Sequence, residues 1–183
     1  MQYEQLLLWR LSSLNFVPQY IEEGEAFGGK FLVYAWIEGV TWKKWLESIP
    51  PLKEKKAIFL RLLYSMQLLH EKGIIHRDLK PDHLLLSPNR KELWIVDFGH
   101  SLQKSTPSPF SSFPLVGTPR YMSPEQRKAP EEVDERADIY TLGMLGRELF
   151  GSDFSSLFGK ATCQRREERF SSVGELLSHF LCF

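Results

Sequence analysis

Residues 74–86, IIHRDLKPDHLLL, set a carboxylate and an amine two residues apart, Asp78 and Lys80, in a short polar stretch between two apolar runs. A lone Asp in a loop ahead of a strand is ordinarily a turn former. The chemistry that a loop with this Arg-Asp pair and nearby lysine could serve is phosphate transfer. Such a loop would want an amide at the end of its polar part, where this chain has Asp82-His83. Further on stand Asp97-Phe98-Gly99, the run GTPRYMSPE from Gly117 to Glu125, an Asp138 inside ADIYTLG and an Arg169 inside EERFSSVGELL.

The elements that must hold these groups can be read from periodicity. Residues 3–14 put Leu7, Leu11 and Leu14 on one helical face, ending near Asn15 and ahead of Pro18. Two β-type runs around a Gly24 to Gly29 turn region read as a hairpin. After Pro50-Pro51, a longer helix carries Ile58, Leu62, Met66 and Leu69 on one stripe, with Gly73 placed to close its C-terminus. The runs LLLS and ELWIVDF flank PNRK, which predicts a second hairpin directly after the polar loop. Residues 100–119 are rich in Ser and Pro and read as a loop without regular structure. Helical spacing resumes through Ile139, Leu142, Leu145 and Leu149, where Gly143 and Gly146 permit close approach of another element. A last short helix begins at Ser171 or Ser172 as cap.

Composition bounds the rest. With 183 residues, 43% of them hydrophobic, 13 Phe and 5 Trp, the chain has the apolar surface for the core of one compact domain. Lys plus Arg (23) equals Asp plus Glu (23), so the charge carries neither a nucleic-acid footprint nor a polybasic membrane anchor. No apolar run is long enough to span a bilayer and MQYEQLLLWRL lacks a basic leader, so no membrane association is expected and the cytoplasm is the expected location. Cys163 and Cys182 have no metal-type spacing and read as two reduced thiols.

In this order the segments resemble the protein-kinase family, of the serine/threonine type. HRDLKP at 76–81 resembles the catalytic loop, DFG at 97–99 the magnesium-binding motif, and GTPRYMSPE the substrate-facing end of the activation segment with its A-P-E. Asp138 and Arg169 match two later structural signatures. One match would be weak, but five in sequence across residues 74–175 make accident a poor explanation. The resemblance implies an α+β, protein kinase-like fold in a single domain, 1–183. Residues 1–34 would form a remnant N-lobe of one helix plus a β-hairpin, 35–39 a hinge, and 40–183 a mainly helical C-lobe.

It also implies roles. Asp78 would accept the substrate hydroxyl proton, Lys80 would steady the γ-phosphate of ATP, and Thr118 would hydrogen-bond toward both. Asp97 would hold Mg2+, or Mn2+ in its place. The backbone from Ala35 to Ile37 would meet adenine, with Tyr34 as gatekeeper and Leu85 as floor. His76 would pack on Phe98, Asp138 would tie down the catalytic-loop backbone, and Glu125 would pair with Arg169. Arg77 would meet a phosphorylated residue among Ser105, Thr106, Ser108, Ser111 and Ser112, or that loop would carry no such event. The partner would be a protein substrate or a regulatory protein, in an oligomeric state the sequence does not fix.

Four departures accompany the match. Only 34 residues precede Ala35, without a G-x-G-x-x-G, and their single lysine, Lys30, reads as a turn residue beside two glycines. The helix count puts Leu7 where the family has the partner glutamate, with Glu4 one turn earlier. His83 stands in place of the asparagine that gives an oxygen to a second metal; imidazole is a softer donor suited to transition metals, so His83 joins Asp97 as a candidate ligand. Between Phe150 and Arg169 there is room for little more than one short segment. Weak ATP binding is expected, and two readings follow: a weak or partner-dependent serine/threonine kinase, or a pseudokinase that keeps the body as a scaffold.

Overall fold

The computed structural model describes residues 2–104 and 117–183. Its elements are α1 (Gln2–Arg10), β1 (Tyr20–Ala26), β2 (Gly29–Tyr34), β3 (Val40–Thr41), α2 (Trp42–Leu46), α3 (Leu52–Glu71), β4 (Ile74–Ile75), β5 (Leu84–Leu86), β6 (Leu93–Ile95), β7 (Leu102–Gln103), α4 (Pro124–Lys128), α5 (Arg136–Phe150), α6 (Ser155–Ala161) and α7 (Val173–Phe180). The fold is α+β, with small antiparallel ladders set on a helical body.

The helical body grows from α3. Its stripe Ile58, Leu62, Met66 and Leu69 is completely buried, and Gly73 ends the helix at φ +73, a conformation open to glycine without a Cβ penalty. Phe59 on the same helix meets Phe150 of α5, Phe158 of α6 and Phe180 of α7 at ring separations of 5.1–5.5 Å. Such edge and tilted contacts add about 0.5–1.5 kcal/mol per pair beyond burial. α6 lies close on α5 because the latter offers Gly143 and Gly146: a Cβ on Gly143 would sit 2.8 Å from the Ala161 Cβ, and one on Gly146 would overlap the Phe158 ring. Ser172 caps α7 by accepting from the Glu175 N–H.

The ladders are short and local. β1 and β2 form a hairpin whose turn is Phe27-Gly28, both at positive φ, the geometry that suits a two-residue connection between twisted strands. β5 pairs with β6 and with β3, so the expected second hairpin is present and gains a third strand from residues 40–41. Leu7, Leu8 and Leu11 from α1 and its exit share the core cluster with α3.

Several expectations are corrected. α1 closes at Arg10, short of residue 14, and Leu14 is only partly buried. Lys30 lies inside β2, opposite Glu25, whose carboxylate is 3.6 Å from its amine; the turn is made by the two residues before Gly29. The Ser- and Pro-rich stretch is not wholly irregular: Leu102–Gln103 pairs with Ile74–Ile75 as β7. The short helix α2, capped by the Thr41 side chain, lies in a segment that hydrophobic spacing left without an element.

Candidate active site

The polar loop between β4 and β5 is held from several sides. Arg77 sits at φ +65, a left-handed conformation that costs a non-glycine residue about 1–2 kcal/mol. Asp138, at the start of α5 and fully buried, accepts from the backbone N–H of His76 at 2.8 Å and of Arg77 at 2.9 Å, and its carboxylate also lies 2.9 Å from His70 Nε2. Burial works to raise the Asp138 pKa, but the His70 bond, neighbouring histidine charge and backbone donors outweigh it and hold it below the usual value. The carbonyl of Arg77 accepts from Gln126 Nε2 at 2.7 Å. A Cβ on Gly117 would come within 2.8 Å of that carbonyl, so the close pass of the two loops needs a glycine there.

Asp78 and its partners come together on this frame. The Thr118 hydroxyl donates to Asp78 Oδ1 at 2.8 Å, and Lys80 Nζ stands 3.4 Å from Asp78 Oδ2. Asp78 is buried; the lysine side chain is 24% exposed, which leaves its amine reachable from outside. His76 is buried with its ring 5.1 Å from that of Phe98; burial lowers its pKa, and neither ring nitrogen has a hydrogen-bond partner. The packing role expected of this histidine is the one it has.

Asp97 occupies φ +65 and turns its carboxylate to His83, whose Nε2 is 3.1 Å from Oδ2. The His83 bond holds the Asp97 pKa down to about 2 against the opposing effect of partial burial. His83 Nδ1 lies 2.9 Å from the Asp78 carbonyl oxygen, so the imidazole bridges the two acidic positions. One ligand atom from each of Asp78, His83 and Asp97 lies within 4.8 Å of the other two. This donor set fits a divalent cation, with a nitrogen where the family has an oxygen.

Beside Asp97 is a hollow of about 460 Å³ lined by Glu4, Leu32, Tyr34, His83, Val96 and Asp97. Its size suits a small ligand, and none of these six residues is Lys or Arg. Glu4, from α1, faces the 97–99 turn: its carboxylate would lie 3.6 Å from a Cβ built on Gly99, and burial together with the Asp97 charge raises its pKa. Leu7, one turn on, is buried in the core. Of the expected adenine-contacting residues, Ala35, which directly follows Tyr34, and Ile37 line a second hollow with Ser87, Asn89 and Trp94. Leu85 is half-buried in β5, opposite Thr41 and Trp94. The structure therefore gathers Asp78, Lys80, His83, Asp97 and Thr118, and sets Ala35, Ile37 and Leu85 outside the hollow beside Asp97.

A second anchor lies behind the site. Arg169, its side chain fully buried, forms a two-pronged pair with Glu125 at 2.7 and 2.8 Å and donates also to the carbonyls of Cys163, Gln164 and Arg136. This fixes α4 and with it Gln126. Sequence reasoning missed Gln126, although the pattern Ser123-x-x-Gln126 is a capping-box signature and the box is formed. It left Glu4 as a near miss on the helix count, with nothing local to show that the carboxylate reaches residues 97–99. Arg77 donates from Nε to the His100 carbonyl at 2.8 Å. The five hydroxyl residues proposed as its phosphorylated partner lie outside the described residues. Cys163 and Cys182 are free thiols, and no described helix is long and apolar enough to cross a membrane.

Comparison with known proteins agrees with the site. The family model described as a protein kinase domain matches residues 4–172. Over 150 residues the chain is 31% identical to an interferon-induced, double-stranded RNA-activated protein kinase of Rattus norvegicus, covering 77% of this chain and 29% of that protein. It is 31% identical to a probable serine/threonine-protein kinase, PknB, of Lactococcus lactis (81% and 23%). It is 33% identical over 155 residues to the serine/threonine-protein kinase PknD of Mycobacterium tuberculosis (83% and 23%). The chain thus spans about a quarter of the length of these relatives. With the motifs of residues 76–81, 97–99 and 117–125 assembled around one buried carboxylate, and the family model covering nearly the whole sequence, the chain belongs to the protein kinase family.

Proposed function

We propose that the chain is a serine/threonine protein kinase-like phosphotransferase of low intrinsic efficiency, acting on a protein hydroxyl. The observation that carries this reading is the buried Asp78 carboxylate held between the Thr118 hydroxyl and the Lys80 amine. A carboxylate so fixed has Oδ1 committed to Thr118, while Oδ2, 3.4 Å from the Lys80 amine, would orient a substrate hydroxyl and take its proton. Lys80 offsets negative charge on the group being transferred. ATP with a divalent cation supplies the transferable γ-phosphoryl group when bound; His83 and Asp97 would hold the cation, and the hollow lined by Leu32, Tyr34 and Val96 would receive the nucleotide. Residues 1–34 serve as N-lobe elements, 35–39 as the hinge and 40–183 as the C-lobe, in a cytoplasmic protein.

The test is phosphate transfer from labelled ATP to the protein itself or to a generic basic substrate, with Mg2+ and Mn2+ in separate arms. The expected result is incorporation that Asp78→Ala abolishes, since a positioned base accounts for about 10²–10⁴ in rate. Incorporation no higher than in the Asp78→Ala protein, in every arm, refutes transfer.

A second reading rests on a separate observation. The hollow carries Glu4 and Asp97 without a lysine or arginine among its lining residues, and His83 already engages Asp97. A site charged in this way repels phosphates, which favours a pseudokinase that presents its helical body to a regulatory protein partner. Absence of any nucleotide-dependent rise in melting temperature, with or without a divalent cation, is the result this reading expects.

A further inference from the structure

We infer that His83, Asp97 and Asp78 form a site selective for nitrogen-accepting divalent transition cations, of the Zn2+ and Co2+ class, over Mg2+. The inference deepens the metal-binding half of the reading above and does not depend on phosphate transfer.

The orientation of one ring carries it. His83 Nδ1 is 2.9 Å from the Asp78 carbonyl oxygen, which can only accept, so Nδ1 carries the hydrogen. That assigns the remaining nitrogen, Nε2, to face Asp97 Oδ2 at 3.1 Å. A ring lone pair and a carboxylate oxygen at this separation need a positive centre between them, either a proton or a metal ion. A metal bonded to both at about 2.0–2.2 Å spaces its two donors about 3.0–3.5 Å apart for angles between square and tetrahedral. The Nε2–Oδ2 pair already has that spacing. Asp78 brings a third side chain to the site, with one carboxylate oxygen within 4.8 Å of a ligand atom of His83 and of Asp97.

The ring is also held as ligating histidines are, with the hydrogen of its second nitrogen given to a backbone carbonyl, which fixes the tautomer and raises the basicity of the donor nitrogen. It is buried in a short turn, Pro81–His83, and is not free to swing aside. Mg2+ prefers an octahedron of oxygens and dehydrates reluctantly, whereas imidazole with carboxylates suits Zn2+ and its neighbours. Two carboxylates and one nitrogen leave positions on such a cation for water or a phosphate oxygen.

The full chain is titrated calorimetrically, without nucleotide, with ZnCl2, CoCl2, MnCl2 and MgCl2 in turn, and the Co2+ complex is followed by visible absorption, which reports nitrogen ligation and coordination number. The expected result is Zn2+ and Co2+ affinity at least tenfold above Mg2+, with a visible Co2+ band. His83→Asn should lower Zn2+ affinity at least tenfold and erase the difference from Mg2+; Asp97→Asn, at a half-exposed position, should also lose the Co2+ band. Circular dichroism establishes that each variant is folded, and Asp97→Asn alone suffices where His83→Asn is not. Equal Zn2+ and Mg2+ affinities, a Co2+ band that survives Asp97→Asn, or no transition-metal binding at all would overturn the site, the last leaving a proton-only bridge. Any of these results leaves the phosphate-transfer assay with Asp78→Ala unaffected, so the two proposals fail separately.

Discussion

Replacing Asp138 with Asn tests whether the loop that carries Asp78 is held in place by one buried charge. The carboxylate accepts from two consecutive backbone N–H groups, at 2.8 and 2.9 Å, and from His70 at 2.9 Å. Asn keeps a single oxygen, so one backbone donor would confront an amide NH2. Hydrogen bonds to a charged acceptor contribute about 1.5–3 kcal/mol each, and a buried donor left unsatisfied costs about 1–3 kcal/mol more. The sum is about 2.5–6 kcal/mol, and at about 2–4 °C per kcal/mol for a chain of this length the melting temperature should fall by roughly 5–24 °C at pH 7. Release of Arg77 from its left-handed conformation would offset about 1–2 kcal/mol of that loss and would carry Asp78 away from Thr118. Because the folded Asp138 pKa lies below its ordinary value of 3.8, its contribution is complete above pH 3.8 and is lost as pH falls toward the depressed value. The stability gap between wild type and variant should therefore narrow as pH falls from 5 to 3. Thermal melts of both proteins at pH 7, 5 and 3 check this. A variant melting within 2 °C of wild type at pH 7, or a gap unchanged at pH 3, would show that the anchor lies elsewhere.

Two other substitutions probe the frame. Glu125→Ala leaves the Arg169 guanidinium buried without its carboxylate and should cost about 3–5 kcal/mol in urea denaturation; joining Glu125→Leu with Arg169→Met should recover at least half, and failure to recover would mean that the carbonyls of Cys163, Gln164 and Arg136 matter more than the charge pair. His76 has its pKa lowered by burial, so the folded state resists a proton that the unfolded chain takes up near pH 6.5, and stability should drop as pH falls from 6.5 toward the depressed folded value. His76→Phe should flatten the pH dependence of the melting temperature between pH 7.5 and 5.5, and an unaltered slope would assign it to another group.

What the sequence disclosed about this fold depended on whether the signal was local. The α3 stripe, the Gly73 stop, the Ser172 cap and the two hairpins are written within a few turns of chain and each is present, though the first hairpin turns only at Phe27-Gly28, a narrower place than the Gly24 to Gly29 region. Gly143 and Gly146 announced a close neighbour on α5, though not that α6 would supply Phe158. β7 was hidden because a two-residue strand has no period of its own; it exists only through pairing with Ile74–Ile75, nearly thirty residues back. α2, five residues long, was too short for a helical stripe to register. At the site, motif order located Asp78, Lys80, Asp97 and Thr118, whereas Glu4 and Gln126 act across 94 and 49 residues of chain, respectively, distances over which spacing carries no information.

The two acids at the centre of the site are supported by different parts of the chain. Asp78 is placed by Asp138, Gln126, Gly117 and Thr118, all from residues 117–138, and Glu125 is locked to Arg169 behind them. None of these supports comes from α1 or the first hairpin. Asp97, in contrast, faces Glu4 of α1 and a hollow walled by Leu32 and Tyr34 of β2. The Asp78 side of the site is thus built into the helical body, while the Asp97 side depends also on the small N-terminal elements. The imidazole of His83, within hydrogen-bond distance of the Asp78 carbonyl and of the Asp97 carboxylate, is where the two halves meet, so a substitution there should disturb both.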